Sequence, residues 1–474
     1  MRNLVVALPL SIILAVAFLY SQNLRAGLQV GIATADLTPQ IDAKHPVWMA
    51  GFARARQARS IDAPLLASAI VFSQQGKSLG LVSIDSIGLG FSDIAVIRQS
   101  LQKQNIVDNL IVASTHSHQS PDVIGIWGQD AASPGWNDDY IAHLIQQTIA
   151  AVKEAKKKQT PAQLKFKRLD FPLEDKLMFD FRPPEVKDPG VVLLQALQGD
   201  RSLGLVVVWS NHPEAMGEEN TALSPDYPAY LRQALHEAGY GSTIFMVGAI
   251  GGLLSPGTDQ AIPDNQGRLI TKKGQARAQA IGQHLAQRIG QAIQQNELPP
   301  LKVNNMKFAE KPLAIPLSNT SFEQAIAQGL LRGHEVKDKK ILTRVSLMQL
   351  GDIFFIGVPG EIFPEIIWGG IPRSKFTDFP DGTREEPPLA KVLEPEKLVV
   401  IGLADDELGY IIPKTSWDTR PPNFLGEKKL FYGEENSIGP EAAPMIHQAL
   451  LELIKKLSPS TEPETLPQSS SSSR

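Results

Sequence analysis

The sequence predicts an α/β protein, with mixed β-sheets flanked by helices in a single large catalytic domain. Three observations predict it. Short apolar runs rich in β-branched residues recur along the chain, and amphipathic stretches with apolar residues three and four apart separate several of them. Several of the apolar runs also stop abruptly at a residue able to bind a metal or a proton, beside Gly or Pro. Sheets covered by helices account for the alternation. The convergence of strand ends on one crevice, usual in such sheets, accounts for where the chemistry-bearing residues fall.

In chain order, Arg2 precedes an uninterrupted apolar segment from Leu4 to Tyr20, the layout of an export signal. The segment is slightly short of a ~20-residue membrane span, so cleavage and retention as an N-terminal anchor in contact with a membrane surface both stay open. Residues 1–27 are therefore set apart from a folded region over 28–457. Residues 458–474 are rich in Pro, Glu, Thr and Ser and end in a serine run, a composition that predicts a disordered tail. Strands are expected at Ala69 to Phe72, Leu79 to Ile84, Leu110 to Ser114, Val191 to Gln195, Gly204 to Trp209, Thr243 to Val247, Val345 to Leu350, Ile353 to Val358 and Leu398 to Leu403. Helices are expected at Ile94 to Gln104, Asp139 to Lys156, Pro228 to Ala238, Lys273 to Gln294 and Pro440 to Lys456. The Pro- and charge-rich stretch Arg373 to Pro395 reads as a long surface loop of the kind that edges a functional site.

Composition narrows the function. The chain has 474 residues, enough to bury a sizeable core, and a net charge of -4. With no basic run and no basic–aromatic interleaving, it carries no nucleic-acid footprint. The absence of cysteine excludes disulfides and thiolate chemistry.

The most informative run is Leu110-Ile-Val-Ala-Ser-Thr-His116-Ser-His118-Gln-Ser-Pro-Asp122. If the strand persists to the pair, the i, i+2 spacing puts both imidazoles on one face, as a metal site at a sheet mouth requires. Four further stations repeat the layout: Leu205 to His212, Ile353 to Glu361, Val399 to Tyr410, and Phe245 to Ser255 with a hydroxyl after a glycine-rich turn. Taken singly, Glu361 also reads as a solvated acid at a helix start, Tyr410 as a core tyrosine and Ser255 as a turn residue.

Together these segments resemble the catalytic domain of the neutral, non-lysosomal ceramidases. The likeness begins at Gly31-Ile-Ala-Thr-Ala-Asp36-Leu-Thr-Pro39, Met49-Ala-Gly-Phe52 and Ile61-Asp62-Ala-Pro-Leu65. It continues through Thr115 to His118, His212 with Met216, Ser255-Pro256, Pro359-Gly-Glu361, Gly409-Tyr410 and Tyr432 to Gly439. It spans roughly Val30 to Leu457, as a remote relative. The resemblance implies a zinc-dependent amide hydrolase with one zinc per chain held by His116, His212, Glu361 and Tyr410. It implies catalytic roles for Tyr410 and for His118 as a proton shuttle, a substrate hydrogen bond from Ser255, and an oxyanion contact from Arg182 in Asp180-Phe-Arg-Pro-Pro184. The implied substrate is N-acylsphingosine or another small-molecule or lipid amide. Asp85, closing the strand Leu79 to Ile84, either orients a ligand histidine or caps a loop.

The sequence departs from the family at Gln119-Ser-Pro-Asp122, where a glycine-rich loop is usual, at Pro213 in place of glycine, and at Leu253 in place of Asn or Asp. Hydrolysis of a carbon–nitrogen bond is thus the expectation, with the amide left open. Two alternatives stand beside it: an exported binding or envelope protein that keeps the fold without catalysis, and a metallohydrolase of another substrate class. For the latter, a metallo-β-lactamase-like site needs an Asp-His soon after the pair. A barrel amidohydrolase needs further strand-end histidines, whereas His143, His236, His284, His334 and His447 fall in helical or loop contexts.

Overall fold

The computed structural model describes residues 27–42, 46–170, 177–188, 190–252, 254–257, 261–370, 374–380, 387–431 and 433–458. The expected export segment, Leu253, Tyr432 and the serine-rich tail beyond Ser458 lie outside the described residues. Among the described residues no helix is long and apolar enough to cross a membrane.

Three sheets organise the chain. The first holds β1 (Gln29–Asp36), β2 (Leu66–Gln74), β3 (Lys77–Ile84) and β4 (Asn109–Ser114), in the order β4-β3-β2-β1, with Thr160–Pro161 on the far edge. Strands β2 and β3 are joined by Gln75-Gly76, both at positive φ (50° and 81°), the conformation a two-residue hairpin turn needs. Helix α1 (Phe91–Lys103) then carries the chain over to the parallel pairing of β3 with β4. Helix α2 (Asp138–Lys157) shares the outer face with it, and the Asn137 side chain caps its first turn.

The second sheet repeats the plan with β5 (Gln163–Asp170), β6 (Gly190–Gln198), β7 (Arg201–Trp209) and β8 (Ser242–Val247), in the order β8-β7-β6-β5. Helix α3 (Tyr227–Glu237) is the crossover to the parallel pair β7–β8, and α4 (Gln275–Gln294) packs beside it. The third sheet holds β9 (Met306–Pro316), β10 (Lys340–Leu350), β11 (Ile353–Gly357) and β12 (Leu398–Ile401), in that order, and β11–β12 is again parallel. Between β9 and β10 lies the short helix α5 (Thr320–Ala327), and after β11 come α6 (Pro364–Trp368) and, last, α7 (Ala442–Leu457).

Period-two alternation divides each sheet between two cores. Phe72, Leu81 and Ile111 from the first sheet, Leu194, Val206 and Met246 from the second, and Met348, Phe355 and Val399 from the third all belong to one shared interior. Their strand neighbours Val71, Val82 and Val112 face α1 and α2, Val207 and Phe245 face α3 and α4, and Leu347, Ile356 and Val400 belong to the cluster that holds α7. Three sheets thus turn one face to a common centre and cover the other with helices. The mixed α/β expectation holds.

The parallel pairs bring their carboxyl ends together. Ser114 N donates to Leu403 O at 3.1 Å and Gly402 N donates to Val247 O at 3.0 Å, tying the ends of β4, β12 and β8 to one another. Asp405 fastens this junction, accepting from Arg98 of α1 at 3.1 Å and from the Ser346 hydroxyl of β10 at 2.7 Å.

Every expected strand coincides with a real one, and the expected helices begin or end within about three residues of the observed ones, the usual imprecision of helix ends. The sequence pattern missed β1, β5, β9, α5 and α6. Strand β9 breaks its apolar residues with Lys307, Glu310 and Lys311 and contains Pro312 and Pro316, which an edge strand tolerates. Of the stretch Arg373 to Pro395 expected as a surface loop, residues 373 and 381–386 lie outside the described residues. Leu389 and Leu393 are buried among the residues beneath the third sheet.

Candidate metal centre and its cavity

His116 and His118 do not extend their strand. Strand β4 ends at Ser114, and His116 takes a left-handed backbone (φ 61°), so the premise that strand alternation aligns the two rings is corrected. A turn aligns them instead. Thr115 N donates to Ile84 O, Ser117 N to Ser86 O and His118 N to Pro213 O, which fixes the segment between the ends of β3 and β7. The ring centroids of His116 and His118 lie 5.0 Å apart, and that of His212 lies 5.0 Å from His116 and 5.6 Å from His118.

His212 follows β7 by three residues, and its Nδ1 is bonded to Leu254 O. His116 Nδ1 lies 2.5 Å from Ile87 O. A carbonyl can only accept, so both Nδ1 atoms carry hydrogen, and in the neutral rings the Nε2 atoms are the ones able to offer a lone pair to a metal. Those Nε2 atoms lie 3.6 Å (His116) and 2.9 Å (His212) from Glu361 Oε2.

Glu361 begins the strand Glu361–Ile362, which pairs in parallel with Tyr410–Ile411 and sets Glu361 opposite Tyr410 in register. The pairing depends on Gly360, at φ 146°, where an added Cβ would fall 2.5 Å from Gly409 O. Tyr410 and Glu361 are hydrogen-bonded through their side chains.

Burial would raise the Glu361 pKa, but the charges of His116 and His212 and the bonds from His212 and Tyr410 bring it below the usual carboxylate value. Burial lowers the His116 pKa. It acts the same way on His212, where the bond to Glu361 and the charges of Glu361 and Glu214 outweigh it and the pKa is raised.

Two imidazole Nε2 atoms facing one buried carboxylate are held together by a proton on His212 or by a metal ion that takes its place. The donor set fits a metal ion: nitrogen and oxygen ligands suit zinc, and all four side chains are buried.

His118 has a different setting. Its Nδ1 lies 3.6 Å from Glu214 Oε2, and neither ring nitrogen has a hydrogen-bond partner among the described residues. Burial first, then the neighbouring His116, His212, Arg56 and Lys273 charges, hold its pKa well below the ordinary histidine value. Phe52 meets the ring edge-on at 4.8 Å, and Gly51, at φ 95°, leaves room for it: a Cβ there would lie 2.4 Å from His118 Cγ.

Ser255 donates its hydroxyl to Glu214 Oε1, and Lys273 Nζ lies 3.7 Å from the same oxygen. These groups open into a cavity of about 330 Å³ whose apolar walls include Phe52, Ile124, Trp127, Phe181, Phe322 and Leu331.

Arg182 lies apart from this cavity. Its buried guanidinium is ion-paired with Glu365 and stacked on Phe363, 4.3 Å from the ring centroid, and Phe363 in turn meets Tyr410 edge-on. An oxyanion contact from Arg182 has no geometric basis in this placement. Asp85 likewise holds no histidine; it takes a bidentate ion pair from Arg232 at 2.6 and 2.8 Å and accepts from Leu66 N. Among the described residues, none from Arg373 to Pro395 lines the cavity.

Three titratable lining residues were not among the site residues the sequence pointed to: Glu214, Glu407 and His334. Glu214 was within reach, lying two residues beyond His212. Glu407 stands in an acidic run, and His334 lies on the loop after α5, so local pattern marked neither. Burial and the Glu361 and Asp406 charges raise the Glu407 pKa well above the ordinary carboxylate range.

No family model and no curated protein matches the sequence. Solved structures do. The chain is similar to a structure described as ceramidase complexed with C2, with a TM-score of 0.67 and 13% identity over 94% of this chain and 77% of the other. It is similar also to the neutral ceramidase from Pseudomonas aeruginosa, with a TM-score of 0.63 and 14% identity over 91% of this chain and 75% of that one. The fold is that of the neutral ceramidases, as the resemblance implied.

Proposed function

We propose that this chain is a metal-dependent hydrolase of carbon–nitrogen bonds in N-acyl lipids, with one zinc ion held by His116, His212, Glu361 and Tyr410. The observation that carries the reading is the meeting of the His116 and His212 Nε2 atoms on Glu361 in the lining of a cavity with apolar walls. An exported binding protein has no need of such a site. The ceramidase structures, whose name states amide hydrolysis of a lipid, support the same class.

Zinc held by these residues would supply Lewis acidity, enough to polarise an amide carbonyl and to bring the pKa of water to around 7. The chain supplies the rest. His118 reaches the reaction neutral, with both ring nitrogens unengaged, and so can take a proton at one of them and return it to the departing amine nitrogen. Glu214 faces His118 Nδ1 and stabilises the imidazolium that forms in between. Ser255, anchored on Glu214, presents its hydroxyl oxygen to the amide N–H. Phe52, Trp127 and Phe181 exclude water and take up the acyl chain.

A second assignment of the same centre has its own observation. His116, His118 and His212 each offer a nitrogen within 4.8 Å of the others, which makes His118 a third imidazole ligand.

Export of the protein is part of the proposal and rests on the apolar segment Leu4 to Tyr20. The reading is tested by metal analysis of protein purified without chelators, together with a hydrolysis screen over N-acyl lipids and N-acyl amino acids. About one zinc per chain and release of a free amine are expected; a metal-free protein inert on every amide overturns it.

A further inference from the structure

The ring of His118 has no anchor of its own. Neither nitrogen is bonded among the described residues, so its aim at Glu214 has to be set by what holds its backbone and what bounds its ring. Both tasks converge on Arg56, in the segment between β1 and β2, which the reaction above does not use. Its Nη2 donates to His118 O and to Ala50 O, and its Nη1 donates to Gln119 Oε1 at 3.2 Å. Its guanidinium carbon lies 4.8 Å from the centroid of the Phe52 ring, which in turn meets the His118 ring edge-on.

Gln119 carries the grip further. Its Oε1 also accepts from Asn220 Nδ2 at 2.9 Å, and its Nε2 donates to Gly217 O at 3.2 Å. Gly217 belongs to the segment that carries Glu214, its own N donating to Glu214 O at 3.1 Å. Backbone bonds from His118 N to Pro213 O and from Ala50 N to Ser120 O close the frame. Arg56 thus stands where three segments meet: 50–52, 118–120 and 213–220. Its side chain is buried and every oxygen it bonds is neutral, a costly setting for a charge withdrawn from water. Only a planar, forked donor reaches all three oxygens and stacks on the ring at once. Gln119 is one of the residues that replace the family's glycine-rich loop, and a glycine there has no side chain to complete the frame.

We propose that Arg56 is a positioning residue that sets the His118 ring against Glu214, with Gln119 carrying its hold to the Glu214 segment. A proton shuttle works only when its nitrogen lies within hydrogen-bond reach of the reacting atoms, and a misplacement of about 1 Å costs on the order of a hundredfold in rate. None of the Arg56 bonds reaches a proposed metal ligand, so losing them displaces His118 and leaves the ion in place. The inference rests on the amide-hydrolase reading for what His118 does once it is positioned.

The test compares the full-length protein with Arg56→Ala and Arg56→Lys, each alone and combined with His118→Ala. On the N-acyl lipid that the hydrolysis screen identifies, Arg56→Ala should keep its zinc, hold KM within about twofold and lose roughly 10²-fold in kcat. Combined with His118→Ala, the same change should cost no more than about twofold further, because residues that act through one group are not additive. Ethylguanidinium, the fragment that the alanine removes, should restore turnover to Arg56→Ala and none to His118→Ala. Arg56→Lys keeps the charge without the fork and should lose turnover in the same His118-dependent way, which preserves the test should Arg56→Ala fail to fold. A readout free of turnover is the nuclear Overhauser contact between the His118 and Phe52 rings. It should weaken in both Arg56 variants while the ring resonances of His116 and His212 stay in place. An equal loss of turnover with and without His118, loss of zinc alongside turnover, or an undiminished ring contact overturns the positioning role. If the wild-type protein cleaves no amide, the proposed reaction falls and the ring contact alone decides the role of Arg56.

Discussion

One residue separates His116 from His118, yet their surroundings assign them different work. His116 has its Nδ1 committed to Ile87 O and its Nε2 turned to Glu361, the arrangement of a ligand fixed from behind. His118 has no such anchor and faces Glu214 instead. His116→Ala should therefore strip the metal. His118→Ala should keep most of it and lower turnover by roughly 10²- to 10⁴-fold, the usual loss of a general acid or base. The defect should shrink on activated anilides, whose leaving groups need less protonation. Equal metal loss in both variants, read by metal analysis, would make His118 the third ligand and remove the proton shuttle. At this scale the sequence identified the groups at the ends of apolar runs. It could not identify Glu407 or His334, because they reach the cavity through tertiary packing, Glu407 lying against Gly88 of a distant segment.

At the scale of elements, the site depends on how helices and turns hold the strand ends. Asp85, at the end of β3, is fully buried and bound to Arg232 of α3, so one ion pair joins the first sheet to the helix that precedes β8. Removing one partner leaves an uncompensated buried charge. Asp85→Ala should lose about 3–5 kcal/mol of stability in denaturant unfolding, and the paired replacement Asp85→Asn with Arg232→Met should recover a good part of it. A small loss in the single variant would show that water replaces the pair.

Gly51 is a second dependence. Alanine there has to adopt a left-handed backbone and set its Cβ against the His118 ring, so Gly51→Ala should lose about 1–3 kcal/mol and impair turnover more than metal content. Unchanged turnover would show that the His118 ring has slack. The elements themselves were legible where both faces of a strand are buried, as in β7, β8 and β11, since such strands read as continuous apolar runs. Strand β9 was not legible. Its lysines and glutamate lie along an edge, and its pairing with β10 is a tertiary fact.

For the whole molecule, the distribution of ligands decides what a metal does to stability. His116 follows β4 of the first sheet, His212 follows β7 of the second, and Glu361 follows β11 of the third. Each sheet reaches the junction by its own parallel pair, and backbone bonds such as Ser114 to Leu403 and Gly402 to Val247 close it. An ion at that point bridges three sheets that are far apart in sequence. Such a set of ligands does not exist in the unfolded chain, so the ion binds the native state and stabilises it by mass action. At a free metal concentration a hundred times the dissociation constant, the gain is about 2.7 kcal/mol. Chelation should therefore lower the melting temperature by several degrees, and added zinc should restore it. The His212→Ala protein should melt near the chelated value from the outset and respond to neither treatment, because the centre then loses its imidazole from the second sheet. If wild-type and His212→Ala proteins shift equally with chelator, the stabilising ion sits elsewhere and the three-sheet junction is held by its hydrogen bonds and apolar core alone.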